Sequence, residues 1–410
     1  MQKIVFLGNT NCMPFRYAMH LNNMGHMVQF YVDAEPAEIL HRPECLLPEF
    51  ATQYPEWIID LGWKPQGRDY IFPTNRLLKL IDQLNSTDWD AIVLCGQWLK
   101  LANYLKARHA RIALLAGSDL DVMASYRQII NYNYSNNILS NALIKVSQII
   151  GAYLQRRGIG KSTMVNYYPE GINPIGDLLL KEIMGTSRYE RLQNRGTNTE
   201  RIPYIEPSTR TGESVIAFCA QRFIWKSPLP PGYTEEENKR NDIMLKGISV
   251  FFKKTNIPIH IHLVEKGVHV EETKTLSKCL GIDRIITWHK EMTLTEIQSW
   301  YAKSDIILDQ FGNHFLGGGA LDSMLMGRPV IGKARNEVFS KVLGAPMPMC
   351  DAADEQQIAD WLEALVNDAN LRKQIGMKSR EFMLRHFDAK DTAISILSHI
   401  DQVKRSGMRV

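Results

Sequence analysis

Short, wholly apolar runs alternate with longer stretches in which apolar residues recur every three or four positions, and this alternation fills most of the 410-residue chain. In the first half, Lys3–Leu7 and Met27–Val32 read as strands, with an amphipathic helix over Phe15–Met24 between them. Leu77, Ile81 and Leu84 recur at helical spacing. Asp90–Cys95 and Ile112–Ala116 read as further strands, Asn136–Tyr153 as a helix and Thr163–Tyr168 as a strand ending in Pro169-Glu170-Gly171. Short apolar strands separated by helices predict a parallel sheet covered on both faces.

Residues 193–212, rich in Asn, Thr, Arg, Pro and Ser, break this pattern and read as a linker. The alternation then restarts: strand Ser214–Ala220, helix Asp242–Lys253, strand Pro258–Val264, helix Glu272–Cys279, strand Arg284–Trp288, helix Leu294–Ala302, strand Ile306–Leu308, helix Gly319–Met326, strand Val330–Gly332 and helix Glu355–Asn367. A last helix over Asp391–Val403 is placed to return to the first half. The expected fold class is α/β, with two doubly wound, Rossmann-like domains facing a central cleft. Domain boundaries fall at 1–195, a linker at 196–212, a second domain at 213–387 and a C-terminal helical segment at 388–410. Sheets of this kind take ligands beyond the carboxyl ends of their strands.

Composition narrows the options. The formal charge of +4 gives little support to nucleic-acid binding and only permits association with anionic lipid. No apolar run approaches the roughly eighteen residues of a membrane span, and the N-terminal apolar run is too short for a signal peptide. Six dispersed cysteines without a CxxC pair read as reduced core thiols, hence a cytoplasmic protein. Neither first strand is followed by a complete GxGxxG loop, which disfavours a nicotinamide-dependent dehydrogenase. His260 and His262 alternate on one strand with no further ligand nearby, so they read as structural and no metal is expected. Trp98, Leu99, Lys100, Leu101, Leu105, Lys106, Arg108 and Arg111 form a basic amphipathic stretch, either a surface for peripheral membrane association or a buried helix with solvated lysines.

The chemistry comes from motifs. Ala320-Leu321-Asp322-Ser323-Met324-Leu325-Met326-Gly327-Arg328-Pro329-Val330-Ile331 resembles the donor-site signature of the GT-B glycosyltransferases, particularly the retaining family 4-like enzymes. The resemblance extends upstream through Tyr301-Ala302-Lys303-Ser304-Asp305-Ile306-Ile307-Leu308-Asp309-Gln310-Phe311, Leu263-Val264-Glu265-Lys266-Gly267 and Lys239-Arg240-Asn241-Asp242. It also takes in Arg222, which follows the first strand of this half. In the first half it is carried by Gly25-His26-Met27-Val28 and Pro169-Glu170-Gly171-Ile172-Asn173.

The resemblance implies an acceptor-binding first domain, a nucleotide-sugar-binding second domain, and metal-independent, retaining transfer of a hexosyl-type sugar from a UDP- or GDP-sugar. The acceptor would be a saccharide, a glycolipid or another lipid-linked molecule, or a protein. It implies no cofactor beyond the donor, and a place in glycan biosynthesis in the cytoplasm or at the inner face of the membrane. Arg222 and Lys239 would neutralise the departing diphosphate, a forked guanidinium and a mobile ammonium both being suited to phosphate oxygens. Phe315, Leu316, Gly317, Gly318 and Gly319 would bring backbone N–H groups and a helix N-terminus to the same phosphates. Asp322 stands where the family has a ribose-binding glutamate. His314, eight positions earlier, stands where it has a glutamate that touches the sugar. Gly8 and Asn9, after the first strand, and Asp119, after a later one, are acceptor-side candidates on topology alone, and the Gly-Ser-Asp-Leu-Asp run around Asp119 equally suits a helix cap. Two alternatives stay open: a sugar-nucleotide epimerase on the same fold, and a non-catalytic sugar-nucleotide-binding subunit of a glycan assembly system.

Overall fold

The computed structural model describes the whole chain except residues 107–108, 133, 136, 186–188, 194–195, 198, 231–232, 234–236, 313–316 and 407–410. The chain forms two compact units: Met1–Gly196 together with Ala389–Val410, and Thr197–Asp388.

In the first unit the strands are β1 (Lys3–Leu7), β2 (Met27–Val32), β3 (Ile58–Asp60), β4 (Ala91–Cys95), β5 (Ala110–Leu114), β6 (Met164–Tyr167) and β7 (Glu190–Gln193). They form a sheet ordered β3-β2-β1-β4-β5-β6-β7, and every pairing is parallel. Its helices are α1 (Met13–Asn23), α2 (Asn75–Ser86), α3 (Ser118–Asp121), α4 (Tyr126–Asn131), α5 (Ile138–Gly160) and α6 (Pro174–Met184). Strands β4 and β5 are buried along their whole length, as their uninterrupted apolar runs require of a sheet covered on both faces. Phe15 of α1 stacks on Trp57, with ring centroids 5.8 Å apart, and meets Phe30 of β2 edge-on at 5.2 Å.

The second unit holds β8 (Ile216–Cys219), β9 (His260–Val264), β10 (Ile286–His289), β11 (Ile306–Leu308), β12 (Val330–Gly332) and β13 (Cys350–Asp351). Its sheet is again wholly parallel, in the order β10-β9-β8-β11-β12-β13. Around it lie α7 (Asn241–Thr255), α8 (Val270–Leu280), α9 (Leu294–Lys303), α10 (Gly318–Leu325), α11 (Asn336–Leu343), α12 (Glu355–Asn367) and α13 (Ala369–His386). The core is a continuous apolar cluster that joins Phe251 and Phe252 of α7, Ile261 and Leu263 of β9, and Leu362 and Leu365 of α12.

The composition-biased stretch around 199–212 runs along the second unit. Ile205 N–H donates to Met326 C=O at 3.0 Å, and Arg210 pairs at 3.2 Å with the buried Asp305. The last helix, α14 (Ala389–Ser406), belongs to the first unit. Ala389, Ala393, Ile396, Ile400 and Val403 repeat at helical spacing and enter the core built on β1 and β2. Both sheets reverse winding direction at one point, between β1 and β4 and between β8 and β11, which is where ligands enter such folds.

Candidate functional site

At the switch point of the second sheet, three loops are cross-tied by backbone hydrogen bonds. Lys239 N–H donates to Ile224 C=O at 2.7 Å, and Lys239 C=O accepts from Phe311 N–H at 3.0 Å. The segment leading into α7 is thereby clamped between the loop after β8 and the loop after β11. Asn241, fully buried at the start of α7, accepts from Ile224 N–H at 3.0 Å. Phe223 donates to Lys266 C=O at 2.7 Å, which binds the loop after β9 to the same group. Gly312 leaves no room for a side chain, since a β-carbon there would overlap the Asn238 carbonyl oxygen.

The clamp buries Lys239, and among the described residues no carboxylate oxygen lies within 4.0 Å of its ammonium. Burial first, and the charge of Arg222 second, pull its pKa down to about 8, against the partial support of Asp309 and Glu237. Arg222 itself is exposed. One buried and one exposed cation thus share the mouth of the sheet, a setting that attracts an anion.

Asp309, at the end of β11, was not singled out by the sequence reading. It is buried and accepts a hydrogen bond from the Gln221 side-chain amide, which ties the ends of β8 and β11 together. Burial raises its pKa to about 6, opposed by the Gln310 N–H, Lys239, the Gly317 N–H and Gln221. The folded state therefore holds this proton more tightly than the unfolded chain does, and the stability associated with it is lost as pH rises from about 4 to about 6. Asp309→Asn is expected to flatten that part of a melting-temperature profile. An unchanged slope would show that another group governs it.

Helix α10 begins on glycines. Gly317 is its N-cap, and no side chain caps it. Gly317 lies against the Gln221 amide, where a β-carbon would come within 2.5 Å of Nε2, and a β-carbon at Gly319 would overlap the Tyr301 hydroxyl. Gly318 is exposed, with nothing near its missing β-carbon. A side chain at 317 or 319 would thus have to displace the Gln221 amide or the Tyr301 hydroxyl, and the first turn, with no side-chain cap, presents backbone N–H groups and the positive end of a helix dipole. His314, Phe315 and Leu316 lie outside the described residues.

Asp322 lies one turn into α10 and is buried, with Gln298 Nε2 of α9 at 3.5 Å from its carboxylate, at the long limit of a hydrogen bond. The Tyr301 phenol beside it is pushed well above its usual pKa, by burial first and then by the charge of Asp322. On the flanking strands, His262 Nδ1 lies 2.9 Å from His289 Nε2, and the His262 ring centroid is 4.4 Å from that of Trp300. Burial, then His289 and His260, lower the His262 pKa to about 4, so the ring is neutral near pH 7. Among the described residues no three His, Cys, Asp or Glu side chains converge as a metal site would require. Trp288 packs edge-on against the core residue Phe223 at 5.5 Å.

The acceptor-side candidates sit in the first unit. Gly8 (φ +88°) brings the loop after β1 against the Cys95 carbonyl, where a β-carbon would collide. Asn9 is buried; its side chain donates to His41 C=O at 3.0 Å and accepts from Phe15 N–H at 3.1 Å, so it holds the start of α1. Asp119 is also buried and accepts from the backbone N–H groups of Ala116 at 2.9 Å and Gly117 at 3.0 Å, the turn-holding role that its position before a helix suits. Burial outweighs those donors and raises its pKa to about 6. In the basic stretch, Trp98, Leu99, Leu101 and Lys100 are buried. Lys100 is not a solvated lysine: its ammonium lies 5.5 Å from the Tyr70 ring centroid, and burial lowers its pKa to about 8. Arg111 is likewise buried, and Arg108 lies outside the described residues.

No protein-family model matches the sequence, and no curated protein matches it. Solved structures do share the fold. Sucrose-phosphate synthase from Thermosynechococcus elongatus is 11% identical with a TM-score of 0.63, the match covering 99% of this chain and 100% of that one. A glycosyltransferase from Rickettsia africae is 13% identical at a TM-score of 0.62, covering 98% of each chain. The S. aureus TarM G117R mutant, solved in complex with fondaparinux, α-GlcNAc-glycerol and UDP, is 14% identical at 0.52; the match covers 80% of this chain and 59% of TarM. The fold class expected from the sequence, two Rossmann-like α/β units of the GT-B type, is thus the fold of this chain.

Proposed function

We propose that this chain is a retaining glycosyltransferase that moves a sugar from a nucleoside diphosphate sugar to a saccharide or lipid-linked acceptor without a metal ion. The observation that carries the reading is the buried Lys239, its backbone clamped by hydrogen bonds, with Arg222 beside it, in the same unit as the glycine start of α10 that no side chain caps. A leaving diphosphate needs its developing charge neutralised, and fixed cations plus a helix N-terminus supply this with little reorganisation. UDP in the complex of a protein of similar fold supports a nucleoside diphosphate as the ligand. Asp322 accepts hydrogen bonds from the ribose hydroxyls in this reading, displacing the weak contact to Gln298. Retention follows from the motif resemblance: the departing phosphate takes the acceptor proton, so Asp119 is not required as a base.

Titration calorimetry with UDP, GDP and a panel of their sugars tests the proposal. Binding is expected, and Arg222→Ala and Asp322→Ala should each weaken it by roughly ten- to a hundred-fold, the range for hydrogen bonds to charged groups. No binding, or binding that neither substitution alters, would overturn the reading. Analysis of the products tests transfer itself: an epimerised nucleotide sugar formed without any acceptor would reassign the reaction.

A further inference from the structure

Helix α5 carries an apolar stripe that nothing among the described residues covers. Ile138, Leu139, Leu143 and Val146 are exposed by 88, 73, 65 and 55%, and Ile149, Ile150 and Tyr153 continue the row. At 100° per residue these seven positions fall within about 140° of the helix circumference, one continuous face. The opposite face anchors the helix: Gln155 is buried and donates to Asp119 C=O at 2.9 Å, and Gly158 lies against the Leu99 backbone. An exposed row of this size is not what a monomer in water leaves uncovered.

The charge that this stretch of sequence carries is all of one sign. From Val122 to Pro169 the sequence contains no Asp or Glu, and it carries Arg127, Lys145, Arg156, Arg157 and Lys161. Arg127 and Arg157 are exposed, while Arg156 is engaged by Glu182 of α6 at 2.5 Å. Lys145 donates to Ile130 C=O at 2.7 Å, at the edge of the stripe. Two copies of this face would bring like charges together, which opposes self-association through it. The side chains are mainly Ile, Leu and Val, where protein hot spots favour Trp, Tyr and Arg. An apolar face, basic groups beside it and no acid on the helix itself are the properties of a helix lying in the interface of an anionic bilayer.

We infer that the α5 face docks the first unit onto an anionic membrane surface, with the row from Ile138 to Tyr153 entering the acyl boundary and Arg127 and Arg157 meeting lipid phosphates. This surface is separate from the buried Trp98–Ala102 segment, and it does not depend on the identity of any donor.

Flotation of the full chain with phosphatidylcholine vesicles, with and without phosphatidylglycerol, tests this. Binding should require phosphatidylglycerol, weaken as salt is added, and fall at least about tenfold in the Leu139→Glu, Val146→Glu double variant, each position losing apolar burial and gaining a repelled charge. Arg157→Glu should weaken it less. Circular dichroism of the double variant should match the parent, because both positions are exposed. The inference is overturned if the parent does not float with anionic vesicles, or if the double variant floats as well as the parent. It is also overturned if the parent is a dimer that the same substitutions dissociate while vesicle binding is absent, which would make the face an interface between copies.

Discussion

Lys239→Met is expected to lower kcat/KM for transfer by roughly two to three orders of magnitude while making the fold more stable. The loss follows from removing a fixed positive charge at the departing diphosphate. The gain follows from burial: Lys239 releases its proton near pH 8 in the folded state and at about 10.5 when unfolded. Between those values the unfolded chain binds more protons, so stability rises with pH there, and below about pH 8 the penalty of keeping the buried ammonium charged is complete. Methionine fills similar volume without the charge, so the variant should be more stable at pH 7, on the order of 2 kcal/mol, with the advantage vanishing above about pH 10.5. In the parent, kcat/KM should fall on the alkaline side near pH 8, where free Lys239 loses its proton. kcat should hold to higher pH, because bound diphosphate favours the ammonium. A Met variant of undiminished rate, or one less stable at pH 7, would remove Lys239 from this role.

Gly312→Ala should destabilise the second unit by about 3 kcal/mol or prevent its folding, the range for forced overpacking of an interior that cannot relax. The added methyl would meet the Asn238 carbonyl, with the Lys239 Cα 3.5 Å away. That backbone is held on both sides by hydrogen bonds to Ile224 and Phe311, so it cannot move without breaking the clamp. Donor affinity should fall with it if the protein folds. Gly318→Ala is the matched control: nothing lies within 4 Å of its β-carbon, so stability should hold. Urea midpoints of the two variants decide the matter, and equal midpoints would mean that the clamp yields freely.

Much of this architecture was legible along the chain. The runs at Ile306–Leu308 and Val330–Gly332 are strands with the expected bounds, because three consecutive apolar residues between helices have few places to go but the middle of a covered parallel sheet. The strands that escaped notice, Ile58–Asp60, Glu190–Gln193 and Cys350–Asp351, are two to four residues long, each includes a charged residue, and all lie at sheet edges, where one side has no partner and the apolar signal fades. Helix α13 escaped for a similar reason: Arg372 and Ser379 are buried in it through hydrogen bonds to backbone carbonyls, so its inner face is partly polar. Helix α6 left a readable signal in Asn173-Pro174, a capping residue followed by a proline at the first helical position.

At the candidate site the sequence determined residue types and order: a strand end followed by Arg222, a helix start at Lys239, a glycine run and an acid one turn later. Types and order are properties of the chain alone, and the apolar period that sets the strands also sets which loops lie at their carboxyl ends. The tertiary structure decided the electrostatics. Gln221 and Asp309 meet across 88 residues of sequence, Lys239 is buried beside Arg222, and Asn9 and Asp119 are drawn into backbone contacts. Whether a polar side chain faces solvent or is desolvated depends on neighbours that the chain delivers from elsewhere. Burial, which no local pattern encodes for a single lysine or aspartate, is what moves their protons.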